Sequence, residues 1–306
     1  MNGLDSLLNR RPSTVWEQFW FSPAIFLARW AYARCQEAYA ATRSNADAIR
    51  VVCISDTHNA HPSLPELPPG DILIHAGDLT QSGTLEELSE ALNWLSIQPH
   101  PHKIFIAGNH DSALAEPAFR DAALSAHPDL IYLDKSSVSL TVRGRDLIVY
   151  GSPDTPCHGS WPFQYPRVPA SQARSSSVWS EMPIQTDVLI THGPPAFHLD
   201  MGGSGCMALL HAVWRVRPRL HVFGHIHGGR GIEYAHWTQA QMAFEAICST
   251  RGVWWSMLTL VWETLRSALG RQIGNQVTHG GTVMVNAAAV GGLRDEKLRG
   301  AIVVEI

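Results

Sequence analysis

The feature that most constrains this chain of 306 residues is a repeated arrangement in which a short apolar run is followed at once by a polar cluster. The runs are rich in Val, Ile and Leu, which is typical of buried strands. They are residues 49–54, 71–76, 103–107, 187–190 and 220–223. Functional side chains of α/β proteins gather where such strands end, so we expect the polar clusters to meet at one edge.

Each polar cluster contains a histidine, a carboxylate or both. The five clusters are Asp56-x-His58, Gly77-Asp78, Gly108-Asn109-His110-Asp111, His192-Gly193 and Gly224-His225-x-His227. Each one alone is a weak signal, because Asp-x-His and Gly-Asp are common in turns. All five in order are a strong one. Carboxylate and imidazole ligands without thiolate favour ions such as Mn, Fe or Zn.

Helices and further strands are predicted between and after these runs. Thr84 and Glu87 predict a capping box at the start of one helix, and a second helix is predicted over 206–216. The other predicted elements are a hairpin over 138–150, a long loop rich in Pro and Ser over 151–186, and strands at 282–286 and 300–306.

Two segments rich in tryptophan fall outside this alternation. Residues 1–48 predict an N-terminal helical arm, and residues 236–275 predict a helical insertion within a domain formed by 49–306. We expect the arm and the insertion to pack together, because both offer apolar faces rich in Trp. The alternative is an interfacial helix at a membrane or a partner. The apolar runs 19–28 and 253–262 are too short to span a bilayer, which needs ~20 residues.

Composition excludes several classes of protein. Hydrophobic residues make up 45% and charged residues only 16%, so disorder is not expected. The net charge of -4 offers no strong attraction to a nucleic-acid backbone. Five scattered cysteines favour a reduced, cytoplasmic protein, with membrane association as a variant. Arg10 and Arg11 precede an apolar run, but Glu17, Pro23 and Arg29 argue against a signal peptide.

In their order, the five clusters resemble the calcineurin-like metallophosphoesterase superfamily, whose pattern is D-x-H, G-D, G-N-H-[D/E], H and G-H-x-H. The resemblance covers about 49–235 and 276–306 without substitution in the pattern. It implies an α/β fold, a four-layer α-β-β-α sandwich in which helices flank two central mixed sheets. Four stretches resemble the small metallophosphoesterase-domain-containing (MPPED-type) subgroup: Gly151–Pro153, Trp161–Phe163, Thr191–Pro195 and Arg217–His227.

The resemblance also implies two divalent metal ions. The first would bind Asp56, His58, Asp78 and His227, and the second Asp78, Asn109, His192 and His225, with Asp78 bridging. Two divalent ions beside two carboxylates and a bridging hydroxide retain positive charge, which attracts a phosphate anion. Manganese is the first choice by resemblance, and iron or zinc suit the ligands as well.

Two residues of the third cluster are candidates for catalysis. His110 is the candidate general acid for the leaving oxygen, and Asp111 is the candidate partner that orients it. A cap on the following helix is the alternative for Asp111. Further candidates for substrate contact are His61, His198, Arg230 and Asn286, for which core or supporting roles are the alternatives.

These inferences predict a dinuclear metal-dependent phosphoesterase. The expected substrate is a small phosphodiester, with cyclic nucleotides as one class, attacked by the bridging hydroxide. The alternatives are a phosphomonoesterase or protein phosphatase, and a scaffold that binds a nucleotide or protein without turnover. A nuclease is disfavoured by the acidic balance. Peripheral membrane contact through the arm or the insertion is a further expectation, and the oligomeric state is not indicated.

Overall fold

The computed structural model describes residues 14–37, 47–250, 252–272, 280–291 and 297–306. The chain forms two compact units. One, the helical unit, comprises Met1–Arg43 and Tyr234–Gly281, and the other, the larger unit, comprises Ser44–Glu233 and Thr282–Ile306. Most of the predicted arm and the predicted insertion thus fall in the same unit. Parts of both predicted segments, 1–13, 38–46, 251 and 273–275, lie outside the described residues.

The described strands are numbered in chain order. They are β1 (Arg50–Ile54), β2 (Ile72–Ala76), β3 (His102–Ile106), β4 (Leu130–Tyr132), β5 (Ser136–Val142), β6 (Arg145–Ser152), β7 (Thr155–Pro156), β8 (Gln164–Tyr165), β9 (Val188–Thr191), β10 (Leu220–Phe223), β11 (Gly231–Ala235), β12 (Thr282–Asn286), β13 (Val290–Gly291), β14 (Lys297–Leu298) and β15 (Ile302–Glu305).

The described helices are numbered in the same way. They are α1 (Val15–Phe21), α2 (Pro23–Glu37), α3 (Leu85–Ser96), α4 (Ser112–Ala115), α5 (Pro117–Ala126), α6 (Met207–Val216), α7 (Gln239–Cys248) and α8 (Val253–Gln272). Short 3₁₀ turns lie at His61–Ser63, Ala173–Ser175 and His227–Gly229.

Two mixed sheets form the centre of the larger unit, which confirms the predicted sandwich. The first has the order β15-β1-β2-β3-β4, with β15 antiparallel to β1 and the other pairs parallel. The second has the order β11-β12-β10-β9-β6-β5, and its four central strands are parallel. Strands β2, β9 and β10 are buried along their whole length, as parallel strands covered on both faces are.

Helix α3 shows how a helix covers the first sheet. Its buried face consists of Leu88, Ala91, Leu92 and Leu95, which follow the i, i+3, i+4, i+7 spacing of an amphipathic helix. These side chains share one core cluster with Phe105 of β3. Each fully buried leucine contributes about 1.5–3 kcal/mol to stability.

The parallel topology brings the polar clusters to one edge. Strands β1, β2 and β3 run in the same direction, so the clusters after them lie side by side, and β9, β10 and β12 do the same in the second sheet. Backbone hydrogen bonds join the two sheets there. Ser55 donates to Ala287 O at 3.1 Å, and Ala289 donates to Ser55 O at 2.7 Å.

Some elements differ from the prediction. The loop predicted over 151–186 contains the short parallel pair β7 and β8. Sequence analysis also missed β4, which is only three residues long, and β11, which is not a continuous apolar run. The strands at 220–223 and 282–286 are present with the predicted bounds.

The helical unit is built on small residues. Helix α2 packs on α7 and α8, with Ala28 and Ala31 buried. The ring of Tyr32 stacks on that of Phe244, with centroids 4.4 Å apart and planes at 6°. The predicted packing of arm on insertion is therefore present, but the predicted cause is wrong. The tryptophans that face solvent in this unit are Trp16, Trp20, Trp30, Trp254, Trp255 and Trp262.

None of the helices in the described part of the chain is long and apolar enough to cross a membrane.

Candidate metal centre

The loops that carry the polar clusters hold an unusual backbone conformation. Asp56, His58, Asp78 and His225 have φ values of 52°, 43°, 54° and 65°, in the left-handed region. A residue other than glycine in this region costs about 1–3 kcal/mol, and such residues concentrate at functional sites. This conformation lets the chain turn sharply after each of these strands.

Two glycines allow the carboxylates to pack closely against neighbouring backbone. A Cβ atom at Gly224 would lie 2.0 Å from Asp56 Oδ2, and one at Gly108 would lie 2.2 Å from Asp78 Oδ1. Both distances are far inside van der Waals contact. These positions of the G-N-H-D and G-H-x-H clusters therefore require glycine.

The first group of potential ligands joins the two sheets. Asp56, His58 and His227 each offer a ligand atom, and these atoms lie within 4.8 Å of one another. His227 Nε2 lies 3.3 Å from Asp56 Oδ1. The backbone N–H of His225 donates to both oxygens of Asp56, at 2.9 and 3.1 Å, which fixes that carboxylate.

The second group is formed by Asp78, His192 and His225, whose ligand atoms also lie within 4.8 Å of one another. His192 Nδ1 donates to Ala76 O at 3.0 Å, so its Nε2 is directed at the centre. That atom lies 3.2 Å from Asp78 Oδ2 and 3.0 Å from Asn109 Oδ1. Each group contains three of the four residues that the resemblance implies for one ion.

The charges of the site suit metal binding. Both carboxylates are buried, but neighbouring imidazoles outweigh that burial and hold the pKa of Asp78 well below its usual range. Burial lowers the pKa of His225 to about 3, so its ring is neutral. Burial opposes protonation of His192 as well, but Asp78 raises the pKa of that ring to about 9. The proton on His192 is therefore one that a metal ion has to displace.

An unsatisfied side chain supports the assignment. Among the residues that the structure describes, neither ring nitrogen of His58 makes a hydrogen bond, although the side chain is largely buried. Its Nε2 lies 3.8 Å from Asp78 Oδ2. Buried polar atoms normally have partners. Carboxylates, imidazoles and an amide oxygen are suitable ligands for divalent ions once the His192 proton is displaced, so the residues fit a dinuclear centre.

His110 lies beside the ligand groups with a fixed orientation. Its Nδ1 donates to Gln81 O at 2.7 Å, which leaves Nε2 for the centre. A nitrogen of His110 lies within 4.8 Å of ligand atoms of His58 and Asp78. The backbone N–H of His110 also donates to Asp78 Oδ1 at 2.8 Å.

Asp111 does not orient His110, and that prediction is wrong. Its carboxylate accepts hydrogen bonds from Gly108 N at 2.8 Å, Leu79 N at 3.2 Å, and Thr80 N and Oγ1 at 2.9 and 2.7 Å. It makes no side-chain cap on α4 either, because its oxygens are already used. Asp111 instead fastens the Asp78 loop to the loop that carries His110.

The candidate substrate residues are mostly tied to the protein. Arg230 donates to the carbonyls of Ala287, Ala288 and Gly300, which contradicts a free phosphate-binding role. His198 is fully buried and its Nδ1 lies 2.7 Å from Glu233 Oε1, so it does not face a substrate either.

The other two candidates also have local contacts. His61 is buried, and its ring lies 5.3 Å from the ring of Trp94. Asn286 donates to Leu199 O at 3.1 Å and to Ile226 O at 2.9 Å. The second bond supports the backbone between His225 and His227, which is the supporting role kept open as an alternative.

Sequence analysis missed three residues of the site. Gln81 acts through its carbonyl, which no side-chain pattern reveals. His158 belongs to none of the five polar clusters, yet its ring lies 4.8 Å from that of His225. Trp161 was noted only as part of the Trp161–Phe163 stretch, and its ring lies 4.6 Å from that of His110.

The sandwich of two mixed sheets carries at one edge these groups of His and Asp side chains, which could hold metal ions. A model of the family described as calcineurin-like phosphoesterase matches residues 49–229, more than half of the chain. The chain belongs to this family.

Relatives agree with the expected subgroup. The chain is 39% identical to Metallophosphoesterase domain-containing protein 1 of Homo sapiens, over 60% of this chain and 62% of that protein. It is 36% identical to a UPF0046 protein of Caenorhabditis elegans, over 60% of this chain and 65% of that protein. The predicted resemblance to the MPPED-type subgroup is confirmed.

Another relative matches nearly the whole chain. It is named Probable rhamnogalacturonate lyase C, from Emericella nidulans, and is 44% identical over 99% of this chain but only 29% of its own length. The chain thus spans under a third of that protein and under two thirds of the other two. The 99% coverage includes the arm and the insertion.

Proposed function

We propose that this phosphoesterase hydrolyses phosphodiesters, with cyclic nucleotides among the candidate substrates. The observation that carries the proposal is the position of His110, held by the Gln81 carbonyl beside the two ligand groups. That arrangement supplies a proton donor next to the expected site of the phosphoryl group. General acid catalysis of this kind contributes roughly 10²–10⁴-fold.

The cationic side chains support a diester over a monoester. Arg230 and Arg299 follow or adjoin the last ligand cluster, and both donate to backbone carbonyls. A monoester dianion carries one more negative charge than a diester monoanion. The guanidinium groups of both arginines are bonded to protein carbonyls, so neither is placed to neutralise that extra charge. A diester monoanion is therefore the better match in charge.

The mechanism assigns separate tasks to the residues of the chain. Two divalent ions, when bound, supply positive charge to the phosphoryl oxygens and lower the pKa of a coordinated water. Asp56, Asp78 and the four ligand imidazoles would hold those ions, together with the Asn109 amide oxygen. His110 gives a proton from Nε2 to the leaving oxygen, and the Gln81 carbonyl keeps Nδ1 protonated and the ring in place.

We propose manganese as the resident metal, with iron and zinc as the competing choices. The donor set contains oxygen and imidazole nitrogen and no thiolate, which suits manganese. Metal analysis of the purified full chain, followed by removal of the metal and reconstitution with each ion, distinguishes the three. The highest restored turnover with iron or zinc would overturn the choice of manganese.

The experiment that tests the function compares a generic aryl phosphodiester with the matching monoester, with and without added manganese. Wild type and Asp78→Asn are assayed together. We expect metal-dependent cleavage that favours the diester and is lost in the variant. Preferential monoester cleavage would instead support a phosphatase. Bound metal without turnover of either ester would support the scaffold alternative.

We also propose a cytoplasmic location with peripheral membrane contact. All five cysteines are free thiols, which suits a reducing compartment. Helix α8 carries seven exposed apolar side chains within an arc of about 120°, at 100° per residue. They are Trp254, Trp255, Leu258, Val261, Trp262, Leu265 and Leu269. Trp and Leu on one helix face are typical of interfacial helices.

Vesicle co-sedimentation of the full chain tests this contact. Replacement of Trp254, Trp255 and Trp262 by Ser is expected to abolish binding to lipid vesicles, whereas Ile97→Ser, an exposed apolar residue of the larger unit, leaves it unchanged. Wild type that stays in the supernatant would remove the proposal. Self-association that disappears in the triple variant would identify a second copy as the occupant instead.

A further inference from the structure

A loop between β6 and β9 brings two aromatic side chains to the candidate metal centre. The loop is closed by backbone hydrogen bonds from Thr155 N to Phe163 O at 2.9 Å and from Cys157 N to Tyr165 O at 2.8 Å. Phe163 packs against the core cluster of the first sheet. The backbone of the loop is thus fixed on both sides of the turn that carries His158 and Trp161.

The turn reaches both parts of the site. The ring of His158 lies 4.8 Å from that of His225, in the second ligand group. The ring of Trp161 lies against that of His110, with centroids 4.6 Å apart and planes at 31°. One short stretch of loop therefore lines the site from the second ligand group to the proposed general acid.

We propose that Trp161 determines substrate specificity by stacking on a planar group carried by the leaving alcohol or phenol, either the nucleobase of a nucleotide or an aryl ring. The inference rests on the proposed function. His110 must place Nε2 next to the leaving oxygen, so the rest of the leaving group extends from that point. Because the indole lies 4.6 Å from the His110 ring, it offers an aromatic surface beside the departing group.

The exposure of Trp161 supports binding over packing alone. The side chain is 43% exposed although it already covers one side of His110. His110 is independently held by the Gln81 carbonyl and through its own backbone N–H by Asp78. A surface available for stacking is the remaining explanation for a large aromatic side chain at this point.

The test uses two phosphodiesters with leaving groups of matched acidity, one a planar phenol and the other a non-planar fluorinated alcohol. Stacking of a base on an aromatic side chain is worth roughly a tenfold to hundredfold factor. In manganese-loaded full-length enzyme, we expect Trp161→Ala to lose that factor in kcat/KM for the phenyl ester and little for the alkyl ester. Trp161→Phe restores most of the loss. Phe119→Ala, an exposed aromatic residue on α5 of the larger unit, is the matched control.

A binding measurement separates this inference from the proposed function. Calorimetry compares phenylphosphonate with methylphosphonate on the same metal-loaded variants. We expect Trp161→Ala to weaken only phenylphosphonate, by about tenfold or more. Equal losses for both esters and both phosphonates would show that Trp161 merely positions His110. Wild type that binds phenylphosphonate through Trp161 but cleaves neither ester would refute the hydrolase and keep the stacking site.

Discussion

The two units of this protein distribute polar and apolar side chains in opposite ways. At the edge of the sandwich, Asp56 and His192 are fully buried. In the helical unit, Trp254 and Trp255 are 85% and 79% exposed. Burying a charged group costs several kcal/mol unless it is paired, and the site pairs each carboxylate with imidazoles and backbone donors. The exposed tryptophans have no comparable compensation among the described residues of the helical unit, and this difference is the basis for the proposed contact of that unit with a membrane surface.

The largest effect is expected from Asp78→Asn. The substitution removes a carboxylate of the second ligand group, which also lies 3.8 Å from His58 Nε2 of the first, so hydrolysis should fall below detection and bound metal should decrease. The unfolding free energy of the metal-free protein should fall, because the carboxylate has a lowered pKa and its removal leaves the buried His192 ring without its partner. Asp121→Asn, on the exposed face of α5, is the control. Full metal content in the variant would show that Asp78 is not a metal ligand.

The next largest effect is expected from His110→Gln. We expect a loss of roughly 10²–10⁴-fold for diesters of weakly acidic alcohols, because these need a proton on the leaving oxygen. Esters of strongly acidic phenols should lose much less. Metal content, measured by elemental analysis, should stay at the wild-type level. A metal loss as large as the activity loss would mark His110 as a ligand instead.

Sequence predicts the sandwich edge far better than the helical unit. The clusters end buried strands, and the parallel pairing of those strands brings Asp56, Asp78 and His225 together. The predictions that are wrong concern residues whose hydrogen-bond partners are backbone atoms. Arg230 binds carbonyls and Asp111 accepts from N–H groups, and neither partner leaves a trace in the side-chain pattern.

In the helical unit the predicted contact is present, but the residues predicted to make it are wrong. The arm and the insertion do pack together, but through small residues such as Ala28 and Ala31. A tryptophan-rich pattern predicts an apolar surface, but it does not say whether the protein itself or an external partner covers that surface. The seven exposed apolar residues of α8, which we call the α8 stripe, lie on one face of the helix. Residues that pack inside the protein would have the same helical periodicity, so the pattern does not distinguish the two cases.

Asp111→Asn should lower stability without touching the ligand set. The carboxylate accepts from four donors, and an amide would direct an N–H at one of them. We expect a cost of about 1–3 kcal/mol in urea unfolding, the cost of a buried donor left without a partner. Asp129→Asn, which breaks a partly exposed pair with Lys103, should cost less. Equal costs would contradict the fastening role.

Acidification should lower the stability of the fold through its buried histidines. Burial lowers the pKa of His221 to about 3, well below its unfolded value, so between these pH values the unfolded chain binds more protons and stability falls as the pH falls. At pH 5 this amounts to about 2 kcal/mol relative to pH 8. His221→Gln keeps a donor for Thr191 and should lose that part of the pH dependence in chelator-treated protein. His75, whose pKa burial also lowers to about 3, retains its own part.

The smallest stability effect should come from the exposed stripe of α8. Trp254→Ser removes a side chain that is 85% exposed, so the unfolding free energy should change by less than about 0.5 kcal/mol. Leu260→Ala, on the buried side of the same helix, should cost about 2–5 kcal/mol. Chemical denaturation of the two variants measures both. A large cost for Trp254→Ser would mean that the stripe stabilises the fold of the chain itself, and the opposition between the two units would no longer hold. A small cost combined with lost vesicle binding would assign the stripe to an external surface, as the metal centre is assigned to an external ligand.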